Sequence, residues 1–397
     1  MPKLLSGAPV VQTLSRLVAW DTVSHRPVTE LAGFLAERAE RAGMRVERFE
    51  TSPGKVNVVA TAGPASEDGL LLSGHMDVVP VEGQAWTSDP FTLTRREDRL
   101  IARGACDMKG FIAAALEAID RVPVQRLRRE LTLVWTHDEE IGCHGSRALV
   151  EQLRREQPDR RLPRAAIIGE PTDFRICRLH PGHTTFEIDC LGRPAHSSRP
   201  SLGLNAIRIA ADVIDIIDEF SLHLASRPAH AELLPTPFTV LNVGRIHGGA
   251  AVNIVPERCT LTVGMRPLPG STAGPLLAEL DDRLAPLRAK AQAQGGDVRL
   301  RLLQSSEPLD TPAACGHIHQ LLPFANDRAV TGAPFATDGG NLALLGLEPV
   351  VFGPGSIDVA HRPDEHLREA DLLRTVDFVE GLIHARCCAE QAAERYL

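Results

Sequence analysis

The chain is poor in aromatic residues and lacks long apolar runs. Aromatic residues make up 4% of its 397 residues, and Tyr occurs once. So few rings leave little material for the stacking platforms that bind nucleic-acid bases. No stretch approaches the roughly 20 consecutive apolar residues that a membrane-spanning helix needs. We therefore expect neither nucleic acid nor a membrane as a partner.

Cysteine pairs at metal-binding spacing are also missing. The eight Cys residues are scattered, and none forms a Cys-x-x-Cys pair. This distribution favours neither a zinc ribbon nor a disulfide framework. The first residues have no long apolar core and no small-residue cleavage site, which argues against a signal peptide. We therefore expect a cytoplasmic protein.

Positive charge is in deficit. Lys and Arg total 43 against 51 Asp and Glu, which gives a net charge of -8. Phosphate neutralisation needs a basic surface, so the charge also argues against nucleic acid. The 43% hydrophobic and 24% charged residues are typical of a globular protein. At about 150 residues per domain, the length suggests two domains or one large one.

The first third of the chain alternates strand and helix patterns. Short apolar runs predict buried strands at 56–61, 70–74, 131–136 and 165–170. Apolar residues at helical spacing predict helices at 27–43, 109–120 and 145–155. Such alternation favours a layered α/β domain with a largely parallel sheet.

A different pattern begins after Pro181-Gly182. It follows the split ferredoxin-like order β-α-β-β-α-β, with elements at 183–191, 203–220, 238–246, 258–266, 273–293 and 298–303. The strand-helix pattern then returns, with an apolar run at 350–355 and a final helix from 368. We therefore predict a layered α/β domain of residues 1–181 and 305–397, with a smaller ferredoxin-like domain inserted at 182–304.

Ionisable residues follow several of the predicted strands. His75 and Asp77 follow one strand, Asp138-Glu139-Glu140 another, and Glu170 a third. In open α/β sheets, ligands bind beyond the carboxyl ends of the strands. With Asp107 and His361, these residues offer nitrogen and oxygen ligands suited to zinc or a similar divalent metal.

Each of these motifs alone has an ordinary structural interpretation. His75 and Asp77 could belong to a capped turn. Asp107 could be the N-cap of the helix that follows it. The acids at 138–140 could lie in a solvated loop. It is the combination after successive strands that favours a metal centre.

Six segments occur in a distinctive order: SGHMDVVP, ARGACDMKG, HDEEIGCHGS, GEPT, GRPAHSS and AHRPDEHL. Together they resemble the aminoacylase/acetylornithine deacetylase family of co-catalytic zinc hydrolases. That family includes succinyl-diaminopimelate desuccinylases, carboxypeptidase G-type enzymes and dipeptidases. The resemblance extends from Asp21-Thr22-Val23-Ser24 to the C-terminal helix.

The resemblance implies a centre of two zinc ions, for which cobalt or manganese could substitute. The implied ligands are His75 and Glu170 for one ion, Glu140 and His361 for the other, and Asp107 as the bridge. A cis peptide would join the bridging residue to Met108. Asp77 would orient His75. Glu170 stands where the aminopeptidase-like branch carries Asp, which favours the deacylase and carboxypeptidase-like branch.

The resemblance also implies catalytic roles outside the ligand set. Glu139 would be the general base that takes a proton from metal-activated water. His196 in GRPAHSS would help to stabilise the oxyanion, either within its own chain or, as often in that family, across a dimer. The inserted domain would form this homodimer. Without the resemblance, His196 would mark the entry to a helix capped by Ser197 or Ser198.

Three further residues match substrate-binding positions of that family. They are Asn253, Arg266 and Asp338. A guanidinium such as that of Arg266 suits the α-carboxylate of an N-acylated amino acid. The alternative for Arg266 is a solvated strand end. Asp338 could pair with a substrate amine, such as the side-chain ammonium of ornithine, or cap the helix that follows.

The implied activity is release of acetate from an N-acetylated amino acid, with N2-acetylornithine in arginine biosynthesis as the leading expectation. N-acetylcitrulline deacetylase, succinyl-diaminopimelate desuccinylase and a dipeptidase or carboxypeptidase are alternatives within the family. A non-catalytic binding protein is the alternative from another class, and the intact Glu139 argues against it. Elsewhere, His317-Ile318-His319 could bind metal in principle or lie on a loop or helix face.

Overall fold

The structure is a computed structural model that describes residues 7–227 and 232–388. Its helices are α1 (Pro9–Val18), α2 (Thr29–Arg41), α3 (Lys109–Arg121), α4 (His144–Glu156), α5 (Ala206–Ala225), α6 (Ala273–Gln292), α7 (Gly316–Leu321), α8 (Asp338–Ala343) and α9 (Glu369–Ile383). Its strands are β1 (Arg45–Ser52), β2 (Lys55–Ala62), β3 (Leu70–His75), β4 (Thr94–Arg96), β5 (Arg99–Ile101), β6 (Leu131–Thr136), β7 (Ala165–Ile168), β8 (Ile176–His180), β9 (His183–Leu191), β10 (Val240–Gly248), β11 (Arg258–Arg266), β12 (Asp297–Ser306), β13 (Leu309–Asp310), β14 (Val330–Gly332), β15 (Glu348–Val351) and β16 (His366–Arg368).

The chain divides into two compact units. The first takes the residues up to Leu179, then Thr311–Ala333 and the residues from Thr337 onward. The second takes His180–Asp310 and Pro334–Ala336. The insertion predicted at 182–304 lies inside the second unit.

The first unit is built on a mixed sheet with the strand order β1-β2-β6-β3-β7-β15-β8, and β14 pairs with β8. Strands β6, β3, β7 and β15 run parallel to one another. The prediction of a largely parallel sheet is therefore right for the centre and wrong for the strands that flank it, since β2 pairs antiparallel with β6 and β8 pairs antiparallel with β15. There β1 and β2 are antiparallel because only Pro53-Gly54 joins them, and a connection that short forms a hairpin.

The apolar runs of the sequence form the core of this unit. All residues of β3 and β6 are buried, as expected for strands covered on both faces. Helix α3 packs against α1 and α9, and its side chains from Lys109 to Ile119 are buried. The small sheet β16-β5-β4 was not predicted, since three-residue strands are too short to show a period.

The second unit has the element order β9-α5-β10-β11-α6-β12 and the strand order β10-β11-β9-β12. Every neighbouring pair in this sheet is antiparallel. Apolar residues of α5 and α6 pack with the buried face of β9 and β11 to form a separate core. This is the ferredoxin-like arrangement predicted from the sequence, and the fold class is confirmed.

Within the described ranges, no helix combines the length and the apolar character needed to cross a membrane.

Candidate metal centre

Three of the predicted site segments lie at one edge of the central sheet. Strand β3 pairs in parallel with β6 on one side and with β7 on the other, so their carboxyl ends meet at the same edge. His75 is the last residue of β3, Glu139-Glu140 follow β6, and Glu170 follows β7. Glycine precedes Glu170 because a Cβ at Gly169 would lie 2.0 Å from the ring of Phe111.

Asp107 and His361 reach this edge from two loops. Asp107 precedes Met108, which is the N-cap of α3, and the peptide between them is cis, as the resemblance implies. Asp107 is therefore not the N-cap itself, and that alternative is wrong. His361 lies between β15 and β16 with φ +62°, a left-handed conformation uncommon outside glycine and frequent at functional sites.

The five predicted metal ligands form two groups of three that share Asp107. In one group, His75 Nε2 lies 3.0 Å from Asp107 Oδ1 and 3.8 Å from Glu170 Oε1. In the other, His361 Nε2 lies 3.2 Å from Asp107 Oδ2 and 3.0 Å from Glu140 Oε2. One carboxylate oxygen of Asp107 therefore faces each group, which is the arrangement that a bridging ligand requires.

Crowding of charged groups perturbs the protonation equilibria of this cluster. Burial first, and the Asp107 carboxylate second, raise the pKa of Glu140 to about 7. The same two causes raise the pKa of Glu170. Hydrogen bonds with Asp107 and Glu140 raise the pKa of His361 to about 10. Burial lowers the pKa of His75, but Glu170 and Asp107 outweigh it and hold that pKa well above its usual value.

The donor set fits two divalent cations. Two imidazoles and three carboxylates are the ligand types that zinc and similar metals accept. Glu170 Oε1 is buried and has no hydrogen-bond partner within the described residues. Buried carboxylates that repel one another, with one oxygen unpaired, are costly unless a cation compensates them. The residues present therefore fit the metals that the resemblance implies.

The contact between Asp77 and His75 differs from the expectation that the Asp77 side chain orients the His75 ring. The group that contacts His75 Nδ1 at hydrogen-bond distance is the backbone carbonyl of Asp77, 2.9 Å away, whereas its carboxylate is 3.7 Å away. The carboxylate accepts hydrogen bonds from the backbone N–H groups of Glu139 (3.0 Å) and Glu140 (3.2 Å) and from the Ser24 hydroxyl (2.8 Å). Asp77 thus ties the loop after β6 to β3.

The predicted general base, Glu139, lies near the first group, since its charge acts on both His75 and Glu170. Its Oε1 lies 3.4 Å from the Cys143 sulfur, and one oxygen lies within 4.8 Å of ligand-type atoms of Cys143 and Asp338. Burial first, and then the charges of Asp338 and Glu140, raise the pKa of Glu139. A carboxylate with a raised pKa is a stronger proton acceptor, which suits a general base.

The remaining acid of the HDEE segment lies outside the cluster. Asp138 Oδ1 accepts a hydrogen bond from Lys55 Nζ at 2.5 Å. The backbone at Asp138 has φ +52°, which is consistent with a sharp turn directly after β6. The three consecutive acids therefore separate into one ion pair and the two residues of the candidate centre.

The contacts that hold the backbone of Asp107 in place were not predicted from the sequence. Glu365 Oε1 accepts hydrogen bonds from the backbone N–H groups of Cys106 (2.9 Å) and Asp107 (3.0 Å), and its Oε2 pairs with Arg103 at 2.6 Å. Both charged side chains are 1% exposed. Arg103 also donates to Gln84, which in turn donates to the backbone carbonyl of His361. The only sequence signal was the place of Glu365 in the AHRPDEHL segment.

Asp338 is buried at the start of α8. Its carboxylate accepts a hydrogen bond from the Thr136 hydroxyl at the end of β6. The side-chain cap of α8 is Thr337, whose hydroxyl accepts from the Gly339 N–H at 3.0 Å, so the expectation that Asp338 could cap the helix is wrong. Thr337 is the N-cap of α8, and Asp338 is the first residue of the helix.

The other predicted substrate and oxyanion residues lie in the second unit. His196 and Asn253 are exposed and adjacent, since Ser197 N–H donates to the Asn253 carbonyl at 3.0 Å. The alternative that Ser197 or Ser198 caps the next α-helix is wrong, because the side chain of Asn205 caps α5.

Arg266 lies at the opposite end of that sheet. Arg266 is the last residue of β11. The first residue of that strand, Arg258, pairs with Leu191, the last residue of β9, and His196 follows Leu191 by five residues. Burial first, and the charge of Arg266 second, lower the pKa of both His180 and His183 to about 4. The predicted residues of this unit thus fall at two places, one with His196 and Asn253 and one with Arg266.

Known proteins share both sequence and fold with this chain. A model of the peptidase family M20/M25/M40 matches residues 71–385. An acetylornithine deacetylase of Salmonella arizonae is 35% identical over 366 residues, which cover 91% of this chain and 90% of the relative. An M20 family metallo-carboxypeptidase from Sulfolobus solfataricus has a TM-score of 0.77 at 20% identity, covering 95% of this chain and 99% of the other. A dinuclear metal binding peptidase from Bacillus subtilis has a TM-score of 0.64 at 15% identity, covering 95% and 97%.

Proposed function

The chain belongs to the peptidase family M20/M25/M40, and from this premise we propose that it hydrolyses N2-acetylornithine to acetate and ornithine. The family resemblance read from the sequence motifs is thereby confirmed, and the chain is a hydrolase of that family. The substrate rests on the relative that is named an acetylornithine deacetylase. The observation that carries the proposed chemistry is the pair of three-residue groups that share Asp107.

Two divalent cations, zinc in our proposal, would be held at these groups. The first would bind His75 and Glu170, the second Glu140 and His361, and Asp107 would contact both. When bound, such cations lower the pKa of water and polarise an amide carbonyl.

Glu139 would move the proton of the reaction. Its carboxylate accepts a proton from water and returns it to the amine that departs when the amide bond breaks. The hydrogen bond from its backbone N–H to the Asp77 carboxylate holds it on a loop fixed to the central sheet. The backbone N–H of Glu140 donates a second hydrogen bond to the same Asp77 carboxylate, so the proposed metal ligand Glu140 is held on the same loop.

Four further residues, three of them in the second unit, have proposed roles toward the substrate. We propose that His196 donates a hydrogen bond to the oxyanion and that Asn253 assists substrate binding. The exposure of both residues supports these roles, since a group that meets substrate must be reachable. Arg266 would bind the α-carboxylate, for which a planar guanidinium is well suited. Asp338 would favour a substrate that carries a side-chain ammonium.

We further propose a homodimer formed by the second unit, with His196 acting across it, and a cytoplasmic location. Strand β10 is an edge strand with mostly exposed residues, and Ile207 and Ile246 are 41% and 50% exposed. An exposed edge of this kind is prone to pair with another chain. All eight cysteines are unpaired, which suits a reducing compartment.

A substrate panel tests the proposed activity. The metal-loaded enzyme is assayed on N2-acetylornithine, N-acetylcitrulline, N-succinyl-diaminopimelate and unmodified dipeptides, with Glu139→Gln as the inactive control. The proposal expects the highest kcat/KM for N2-acetylornithine. A clear preference for the succinylated substrate or for dipeptides would replace it with one of the family's other activities. Asp338→Asn should reduce the difference in kcat/KM between N2-acetylornithine and N-acetylcitrulline, because only acetylornithine carries a side-chain charge.

A further inference from the structure

A second cluster of metal-ligand side chains lies outside the centre described above. Cys315 directly precedes α7, His317 is in the first turn of that helix, and Glu348 is the first residue of β15. Cys315 and His317 are each 4% exposed, and the Glu348 side chain is 23% exposed. These three residues offer a sulfur, a nitrogen and an oxygen atom that lie within 4.8 Å of one another.

The distances in this cluster are close to those of a coordination sphere. Cys315 Sγ lies 2.7 Å from His317 Nδ1, 3.6 Å from His317 Nε2 and 3.2 Å from Glu348 Oε2. Zinc bonds of about 2.3 Å to sulfur and 2.0 Å to nitrogen separate tetrahedral sulfur and nitrogen ligands by roughly 3.5 Å. The three side chains would therefore need to move by less than about 1 Å to surround one ion.

The protonation of the cluster does not indicate a nucleophilic cysteine, and it leaves the His317 imidazole able to bind a metal. Burial first, and hydrogen bonding to Glu348 second, raise the pKa of Cys315 to about 11. A reactive thiolate needs the opposite shift, from a neighbouring positive charge. Burial, with the charge of Arg386, lowers the pKa of His317 to about 4, so the imidazole is neutral and keeps a lone pair for a metal.

Glu348 is positioned to contribute one oxygen. Its other oxygen, Oε1, is paired with Arg164, which leaves Oε2 facing the sulfur. One thiolate and one carboxylate would offset the two positive charges of the ion, while the same carboxylate keeps its ion pair with the exposed Arg164.

We propose that Cys315, His317 and Glu348 form a third divalent-metal site, for a single zinc-like ion bound through a thiolate. On binding, the Cys315 thiol loses its proton to solvent and its sulfur bonds to the ion. The fourth position is left to water. The ion would join the start of α7 to the start of β15.

This site is separate from the candidate catalytic centre. Strand β15 runs parallel to β7, with Glu348 beside Ala165 and Val351 beside Ile168. Glu170 of the catalytic centre follows the far end of β7. Five residues at about 3.3 Å each place the two sites some 16 Å apart along the strands. The third site is therefore expected to have no direct part in hydrolysis.

Cobalt binding distinguishes the third site from the first two. The five proposed ligands of the catalytic centre are imidazoles and carboxylates, so Co²⁺ there has no sulfur ligand, whereas Co²⁺ on Cys315 would add a thiolate-to-cobalt band in the near ultraviolet. Chelator-stripped protein is titrated with Co²⁺ while absorbance and bound metal are measured. We expect three equivalents per chain and the near-ultraviolet band. Two equivalents without the band would overturn the proposal.

Variants test whether the near-ultraviolet cobalt band comes from the Cys315 sulfur. Cys315→Ser should lose the band and one equivalent of Co²⁺, while hydrolysis of N2-acetylornithine at saturating metal stays unchanged. His317→Gln should also lose one equivalent, and it serves if the serine variant does not fold. Cys177→Ser is the matched control of a buried cysteine, and Cys143→Ser tests the thiol beside Glu139. A band that survives Cys315→Ser, or that disappears in Cys143→Ser, would contradict the assignment.

Discussion

Replacing Glu365 by Gln should destabilise the first unit strongly, because it uncouples a buried ion pair from the loop of Asp107. The pair with Arg103 is 1% exposed on both sides, and breaking such a pair costs about 3–5 kcal/mol. Arg103 keeps its hydrogen bond to Gln84, so we expect the lower value, about 3 kcal/mol. Because Glu365 also accepts from the Asp107 N–H, metal affinity should fall by about 10- to 100-fold.

The measurement is urea unfolding of metal-free protein, followed by tryptophan fluorescence. All three tryptophans, Trp20, Trp86 and Trp135, lie in the first unit, so the signal reports on that unit alone. With a urea dependence of about 2.5 kcal/mol per molar, the midpoint should fall by about 1 M. Glu369→Gln is the matched control, because its partly exposed pair with Arg95 should contribute at most about 1 kcal/mol. Equal midpoints for the two variants would refute the reasoning.

Further variants test the roles of individual residues. Glu139→Ala should bind both metals at the catalytic centre but lose most of the hydrolysis; a residual rate comparable to that of the native enzyme would remove it as the base. Arg266→Ala should raise KM for N2-acetylornithine and have little effect on the corresponding α-amide, so equal effects on the two substrates would exclude a carboxylate contact. His196→Ala should lower kcat more than it weakens binding, by about 2–4 kcal/mol in activation free energy. Mixing the inactive Glu139 and His196 variants should restore activity if His196 acts across the dimer. If no activity is recovered, the two subunits do not share an active site.

The elements predicted best from the sequence are those with a strong local pattern. The strands at 131–136, 183–191 and 258–266 begin and end where the apolar runs and alternation predict. Strand β1 (Arg45–Ser52) was missed, because it lies at the edge of its sheet and only Phe49 is buried. An edge strand with polar residues on both faces has little periodicity to detect.

The candidate centre was largely predictable as a set of residues but not as a set of contacts. The five ligand candidates follow buried strands or stand in distinctive motifs, and the structure brings them together. The hydrogen bonds that the Asp77 carboxylate accepts from the backbone N–H groups of residues 139 and 140 depend on how two strands lie side by side, which no single segment reveals. The same holds for Glu365, whose partners are about 260 residues distant in the chain.

Anomalous X-ray diffraction from zinc-loaded crystals, recorded at the zinc edge, tests the central claim most directly. The account predicts two neighbouring peaks, one beside His75 and Glu170 and one beside Glu140 and His361, with Asp107 in contact with both. A single peak, or peaks that leave Asp107 without a metal contact, would contradict it.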